Sequence, residues 1–302
     1  MAAGAVGGYF GARMAAAGHD VTFIARGAHR DAIRANGLIV ESTLGNLHLK
    51  DAKVTEDPGE VGPVDIVLFA VKLWDTEAAA EQARPLIGSG TRLVTFQNGV
   101  DSVERIAPIL GADHVAGGSA YIATVIGRPG VIVHTSPFAK LRCGRIDGRE
   151  DSVLETFSEA AAKAGIDIET SKEMNRVRWE KFTFLVAMSG ITASTREGMG
   201  VAMSDPDIKA MFRAMMTEVV AVARASGVNL TDAFLEEQFT FAEGVPPGMK
   251  ASMAHDLERG NRLELDWLSG KVVELGRKFA VPVPANEAVY AILKPHRFGR
   301  TH

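Results

Sequence analysis

Cysteine is nearly missing: Cys143 is the single one in 302 residues. One cysteine forms no internal disulfide and no cysteine metal cluster, so nothing in the chain demands an oxidising compartment. Long apolar runs are missing too. The longest, such as the one from Val64 to Val71, fall far short of the roughly 20 residues that a membrane-spanning helix needs. The N-terminus lacks the basic stretch and apolar core of a secretory signal. The expectation is a cytoplasmic protein with no membrane partner. An excess of positive charge is also lacking. The formal net charge is −4, which removes the bulk basic field of a nucleic-acid binder. A small anion remains a suitable partner, because a site needs only a few local cations. Repeats, low-complexity tracts and long linkers are absent as well.

What is present is a globular composition, 46% apolar and 23% charged, in a chain long enough for two domains. The first half alternates short apolar runs with helical patterns. Helices are expected at Gly7–Ala17, Ala28–Asn36, Thr76–Ala83, Ser102–Ile109 and Ser152–Ala164. Buried strands are expected at Asp20–Ala25 and Val64–Val71, and further strands at Arg92–Phe96 and Ile166–Glu169. Leu38–Val40 and Leu47–Leu49 suit a small hairpin, and Val131–His134 and Lys140–Arg142 an antiparallel pair. Alternating β and α units call for a parallel sheet covered on both faces. After Ser171 the pattern is helical, at Met174–Ile191, Pro206–Ser226, Ala251–Leu257 and Leu263–Phe279. The fold class is therefore α/β: a Rossmann-like domain over residues 1–170, then an all-helical domain over residues 171–302. Helices Pro206–Ser226 and Leu263–Phe279 can pack within one chain or between two copies in a homodimer.

The chain opens Ala2-Ala-Gly4-Ala-Val-Gly7-Gly. Gly4 and Gly7 fit the second and third places of a dinucleotide loop, G-x-G-x-x-G, where the backbone nears a pyrophosphate and a helix N-terminus faces its charge. Ala2 stands where the first glycine belongs. The strand expected before the loop is absent because the chain begins at Met1. That strand is central in such a sheet, so an open slot is expected there. Arg26 ends the second strand, where NAD-binding chains carry an acid for the ribose hydroxyl. A cation there suits a 2′-phosphate, and so NADP(H).

With these pieces placed, the chain resembles the 2-dehydropantoate 2-reductase, or ketopantoate reductase, family over nearly its whole length. The carriers are Gly4-Ala-Val-Gly7-Gly, Phe23-Ile-Ala-Arg26, Val71-Lys72, Gln97-Asn98-Gly99, Trp179-Glu-Lys181-Phe, and Ser252 through Asp256 to Glu264-Leu-Asp266. The resemblance implies hydride transfer from NADPH to a small 2-keto acid, as in pantothenate biosynthesis. It implies that Gly4, Ala5, Val6, Gly7, Arg26, Lys72 and Asn98 hold the cofactor. Asn98 and Ser252 would also hold the substrate. Lys181 would be the general acid, organised by Glu264. The family has substrate-contacting asparagines four and eight residues after the lysine, where this chain has Leu185 and Ser189. A leucine cannot supply an amide's hydrogen bonds, so the substrate is open to change. Two other readings remain: a paralogue acting on another keto or hydroxy acid, and a non-catalytic NADP-binding protein.

Overall fold

The computed structural model describes Met1 and residues 3–300. Ala2, the stand-in for the first loop glycine, lies outside the described residues. The chain packs as two units, residues 1–97 with 101–177, and residues 98–100 with 178–302. Among the described residues no helix is long and apolar enough to cross a membrane.

The first unit begins with α1 (Ala5–Ala16), β1 (Thr22–Ile24), α2 (Gly27–Asn36), the strands β2 (Leu38–Ser42) and β3 (Leu47–Leu49), and β4 (Lys53–Thr55). It continues with β5 (Ile66–Phe69), α3 (Thr76–Gln82), β6 (Arg92–Thr95), α4 (Ser102–Leu110), β7 (Val115–Tyr121) and β8 (Thr124–Arg128). It closes with β9 (Val131–His134), β10 (Lys140–Gly144), α5 (Ser152–Lys163) and β11 (Asp167–Thr170). Five strands form one sheet in the order β11-β10-β7-β6-β5, with β5, β6 and β7 parallel. Leu93 and Val94 on β6 are fully buried, as a strand covered on both faces requires. The hairpin of β2 and β3 forms as expected. Asp151 caps α5, its carboxylate accepting from the Val153 and Leu154 amides.

Two expectations are corrected here. Val131–His134 and Lys140–Arg142 do not pair with each other. β9 lies between β2 and β8, whereas β10 lies between β7 and β11 in the five-stranded sheet. Polar anchors between them account for the split. His134 is buried and meets the Ser42 and Ser136 hydroxyls at 2.8 Å each. The Ser136 hydroxyl accepts from the Ala123 amide and donates to the Phe138 carbonyl. These bonds hold the connection beside β2 and β8, and β10 leaves for the other sheet. The expected open slot is the second correction. Among the described residues β1 pairs with β4, and no ladder joins it to β5. The gap is nevertheless spanned by backbone. The Met1 amine donates to Leu68 O at 2.7 Å, the Ala70 amide to Met1 O at 3.3 Å, and the Ala3 amide to Ile24 O at 2.7 Å.

The second unit holds α6 (Met174–Thr195), α7 (Met199–Ser204), α8 (Pro206–Ala225), α9 (Asp232–Glu243), α10 (Ser252–Arg259), α11 (Ser269–Phe279) and α12 (Pro284–Leu293). Its core gathers Phe182, Val186, Phe212, Met215 and Val219. Asp205 caps α8, with Pro206 pre-set for the first turn. The single helix expected over Leu263–Phe279 is broken. A 3₁₀ turn covers Leu265–Trp267, Leu268 leaves the helical region, and α11 starts at Ser269. The Tyr290 hydroxyl pulls on this turn, donating to Asp266 Oδ1 at 2.9 Å. α12 itself is fastened by Glu218 of α8, whose carboxylate accepts from the Ala285 and Asn286 amides at 2.7 and 2.9 Å. A cap lent by a distant helix leaves no local trace in the sequence.

Candidate active site

In the first unit, Gly4 is the extended N-cap residue of α1 and the Gly8 amide closes the first turn onto Gly4 O at 2.7 Å. Among the described residues no side chain caps this end. The amides of Ala5, Val6 and Gly7 therefore sit where a helix lacks its own acceptors and carries positive field. Close packing is made by the next glycines along. A Cβ at Gly11 would stand 2.8 Å from the Phe23 ring, and one at Gly8 3.0 Å from Ile132. His29 holds the entry to the turn. Its Nδ1 accepts from the Gly130 amide at 3.0 Å, so Nε2 carries the proton and donates to Ala3 O at 2.9 Å. Burial lowers the His29 pKa, which keeps this neutral tautomer.

Arg26 stands exposed as the N-cap residue of α2, just past β1, and its guanidinium donates to the Gln82 side chain. Lys72 is exposed at the head of the turn Leu73–Asp75, its ammonium 5.6 Å from the Trp74 ring. Gln97 ties the ends of two strands together. It donates to Val71 O at 3.1 Å and Thr76 Oγ1 at 2.8 Å, and accepts from Thr95 Oγ1. Sequence reading assigned no role to His29 or Gln97. A glutamine closing an apolar run was the one available signal; His29, between two arginines, offered none.

The second unit gathers the reactive groups. Gly99 has φ +116, a region side chains avoid, and residues 98–100 pack with this unit. Val100 is buried in its core with Trp179 and Phe182. Asn98 is thereby brought to Lys181 on α6, whose Nζ donates to Asn98 Oδ1 at 3.1 Å. That bond fixes the amide: its oxygen faces the lysine, and its NH₂ is left for another acceptor. Burial lowers the Lys181 pKa to about 8, against the opposing pull of the Glu264 carboxylate. Glu264 is buried, and its backbone carbonyl starts the turn to Trp267 and Leu268. Trp179 and Phe182 meet edge to face at 5.6 Å and belong to the core beneath.

Ser252 is exposed at the first position of α10. The preceding Ala251 amide donates to Thr192 Oγ1 at 3.3 Å. Thr192 lies three turns along α6 from Lys181, about 16 Å at 1.5 Å per residue. The structure thus brings Asn98, Lys181 and Glu264 together, while Ser252 on α10 follows Ala251, which bonds α6 further along at Thr192. A weakened ammonium beside an amide and a carboxylate can give up a proton near neutral pH.

Comparison with known proteins places the chain in a family. Residues 2–148 match the family model "Ketopantoate reductase PanE/ApbA", and residues 173–297 its C-terminal counterpart. The chain is 31% identical to a 2-dehydropantoate 2-reductase of Mesorhizobium japonicum, over 97% of this chain and 95% of that one. A crystal structure of a PanE/ApbA family ketopantoate reductase from Ralstonia eutropha superposes with a TM-score of 0.90 at 34% identity, covering 98% and 97% of the two chains. D-mandelate dehydrogenase, solved with NADH and anilino(oxo)acetate, shares the fold at a TM-score of 0.90, covering 98% of this chain and 96% of that one, with only 17% identity. With both of its halves matched by the family models, the chain belongs to the ketopantoate reductase family of oxidoreductases.

Proposed function

We propose that this protein reduces a small 2-keto acid to the 2-hydroxy acid with NADPH, and that Lys181 is its general acid. The observation that carries the reading is the lysine itself. It is bonded to Asn98 at 3.1 Å, influenced by Glu264, and lowered by burial to about 8.

The residues of the first unit suit a dinucleotide. The uncapped N-terminus of α1 at Gly4 supports binding of a pyrophosphate through Ala5, Val6 and Gly7. Arg26, exposed just beyond β1, supports a 2′-phosphate, because its fork of donors matches phosphate oxygens. Lys72 adds a second cation on the same unit. When bound, the nicotinamide supplies a hydride to the keto carbon.

The remaining chemistry belongs to the chain. As the carbonyl oxygen gains charge, Lys181 stabilises it and transfers a proton, then recovers one from water. Glu264 keeps the ammonium charged and in place. Asn98 orients the lysine through its oxygen and offers its NH₂ to a ligand oxygen. Ser252, at the start of α10, is a further substrate contact. A cytoplasmic setting and a part in pantothenate biosynthesis follow from family membership and belong to the same proposal.

The test is NADPH consumption with a panel of 2-keto acids, including 2-dehydropantoate, with the product identified. One hydroxy acid formed per NADPH supports the reading. Turnover confined to other acids favours a paralogous activity. Cofactor binding with no turnover of any acid leaves a binding protein, and an absence of cofactor binding sinks the proposal.

A further inference from the structure

We infer that the site at Lys181 selects 2-keto acids with an apolar side chain and disfavours those with a hydroxyl on it. The inference rests on Lys181 being the group that meets the keto oxygen. Leu185 follows it by four residues on α6. Such a pair shares one face, a turn apart, about 6 Å along the axis. Side chains of a helix lean towards its N-terminus, so Leu185 covers surface beside Lys181 and not beyond itself.

Leu185 is half-buried, while the next two residues, Val186 and Ala187, are fully buried. Its inner side packs on the core of this unit, and its outer side stays accessible. The polar groups further along the same face are not presented. Ser189 is 1% exposed. Thr192 spends its hydroxyl on Met188 O at 2.7 Å and the Ala251 amide. A ketone whose oxygen lies at Lys181 Nζ therefore sets its side chain against leucine methyls. A substrate hydroxyl against those methyls would lose water and gain no bond from Leu185. A methyl group at the same place would gain from burial.

The test is a pair of acids differing by one oxygen: 2-dehydropantoate (4-hydroxy-3,3-dimethyl-2-oxobutanoate) and 3,3-dimethyl-2-oxobutanoate. kcat/KM is measured for both with NADPH and with NADH. The acid without the hydroxyl should be favoured about ten- to a hundredfold, the range over which an apolar pocket rejects an added hydroxyl. Leu185→Asn should shrink that ratio about tenfold or more, chiefly by improving 2-dehydropantoate, whereas Leu185→Met should preserve it. Equal or better use of 2-dehydropantoate by the unmutated protein overturns the inference, whether or not Leu185→Asn folds. So does an unmoved ratio in a Leu185→Asn variant that melts like the parent. Turnover of neither acid with either cofactor overturns this inference, whereas the reductase reading is decided separately by the wider panel of 2-keto acids.

Discussion

Lys181 and Asn98 lie 83 residues apart in the chain and meet at 3.1 Å, lysine ammonium to amide oxygen. The contact exists because residues 98–100 pack with the helical unit although the residues on either side of them do not. Val100 is buried there beside Trp179 and Phe182, and Gly99 makes the turn. The Lys181–Asn98 bond thus depends on a three-residue excursion of the backbone.

Replacing the lysine tests its part directly. Lys181→Ala should lower kcat by about a hundred- to ten-thousandfold, the usual range for a lost general acid. NADPH affinity, measured by fluorescence titration of the same preparation, should change little. Undiminished turnover would remove Lys181 from the chemistry. Lost affinity with unchanged turnover at saturation would make it a cofactor ligand.

The pH dependence carries a sign. In the proposed mechanism reduction uses the protonated form of Lys181, whose pKa is lowered to about 8. A plot of kcat/KM should be level below that value and fall tenfold per pH unit above it. The Glu264 charge raises the Lys181 pKa, so Glu264→Gln should move the fall to lower pH. Stability runs in the opposite sense. The folded pKa lies below the ordinary 10.5, so between about 8 and 10.5 the unfolded chain binds more protons. This group therefore makes folding more favourable as pH rises through that window. A rate profile in Glu264→Gln that coincides with the parent's would separate the carboxylate from the lysine.

The proposed preference for NADPH is tested at Arg26. The parent should favour NADPH over NADH, and Arg26→Ala should erode the preference by weakening NADPH about ten- to a hundredfold, the worth of charge-assisted hydrogen bonds of roughly 1.5–3 kcal/mol. Kd values for both cofactors in both proteins decide it. Equal use of the two by the parent would refute the assignment.

The close packing of α1 makes a stability prediction. Gly11→Ala would place its methyl 2.8 Å from the Phe23 ring, and overpacking of this kind costs about 1–3 kcal/mol. Thermal melting should drop accordingly, while Gly18→Ala should cost through its φ of +91 alone, since nothing lies within 4 Å of its added methyl. An unshifted melt in Gly11→Ala would show that Phe23 yields without cost.

Much of this protein is legible in its residues because the relevant physics is local. Alternation of apolar runs with helical patterns announces a parallel sheet with helices. Gly4 and Gly7 mark the start of a helix, and Arg26 after a strand announces a cation at its end. Order and spacing of Lys181, Ser252 and Glu264 carry the family resemblance. What a local window cannot contain was decided by tertiary structure. β9 and β10 lie in different sheets, with His134 bonded to Ser136 between them, and the helix expected at Leu263 is broken where Tyr290 bonds Asp266. His29 became the latch on Ala3 only once Gly130 arrived from 101 residues away. Lys181 owes its lowered pKa to burial, and burial belongs to the packed molecule. A sequence names the groups that can react; their protonation and aim follow from neighbours that only folding supplies.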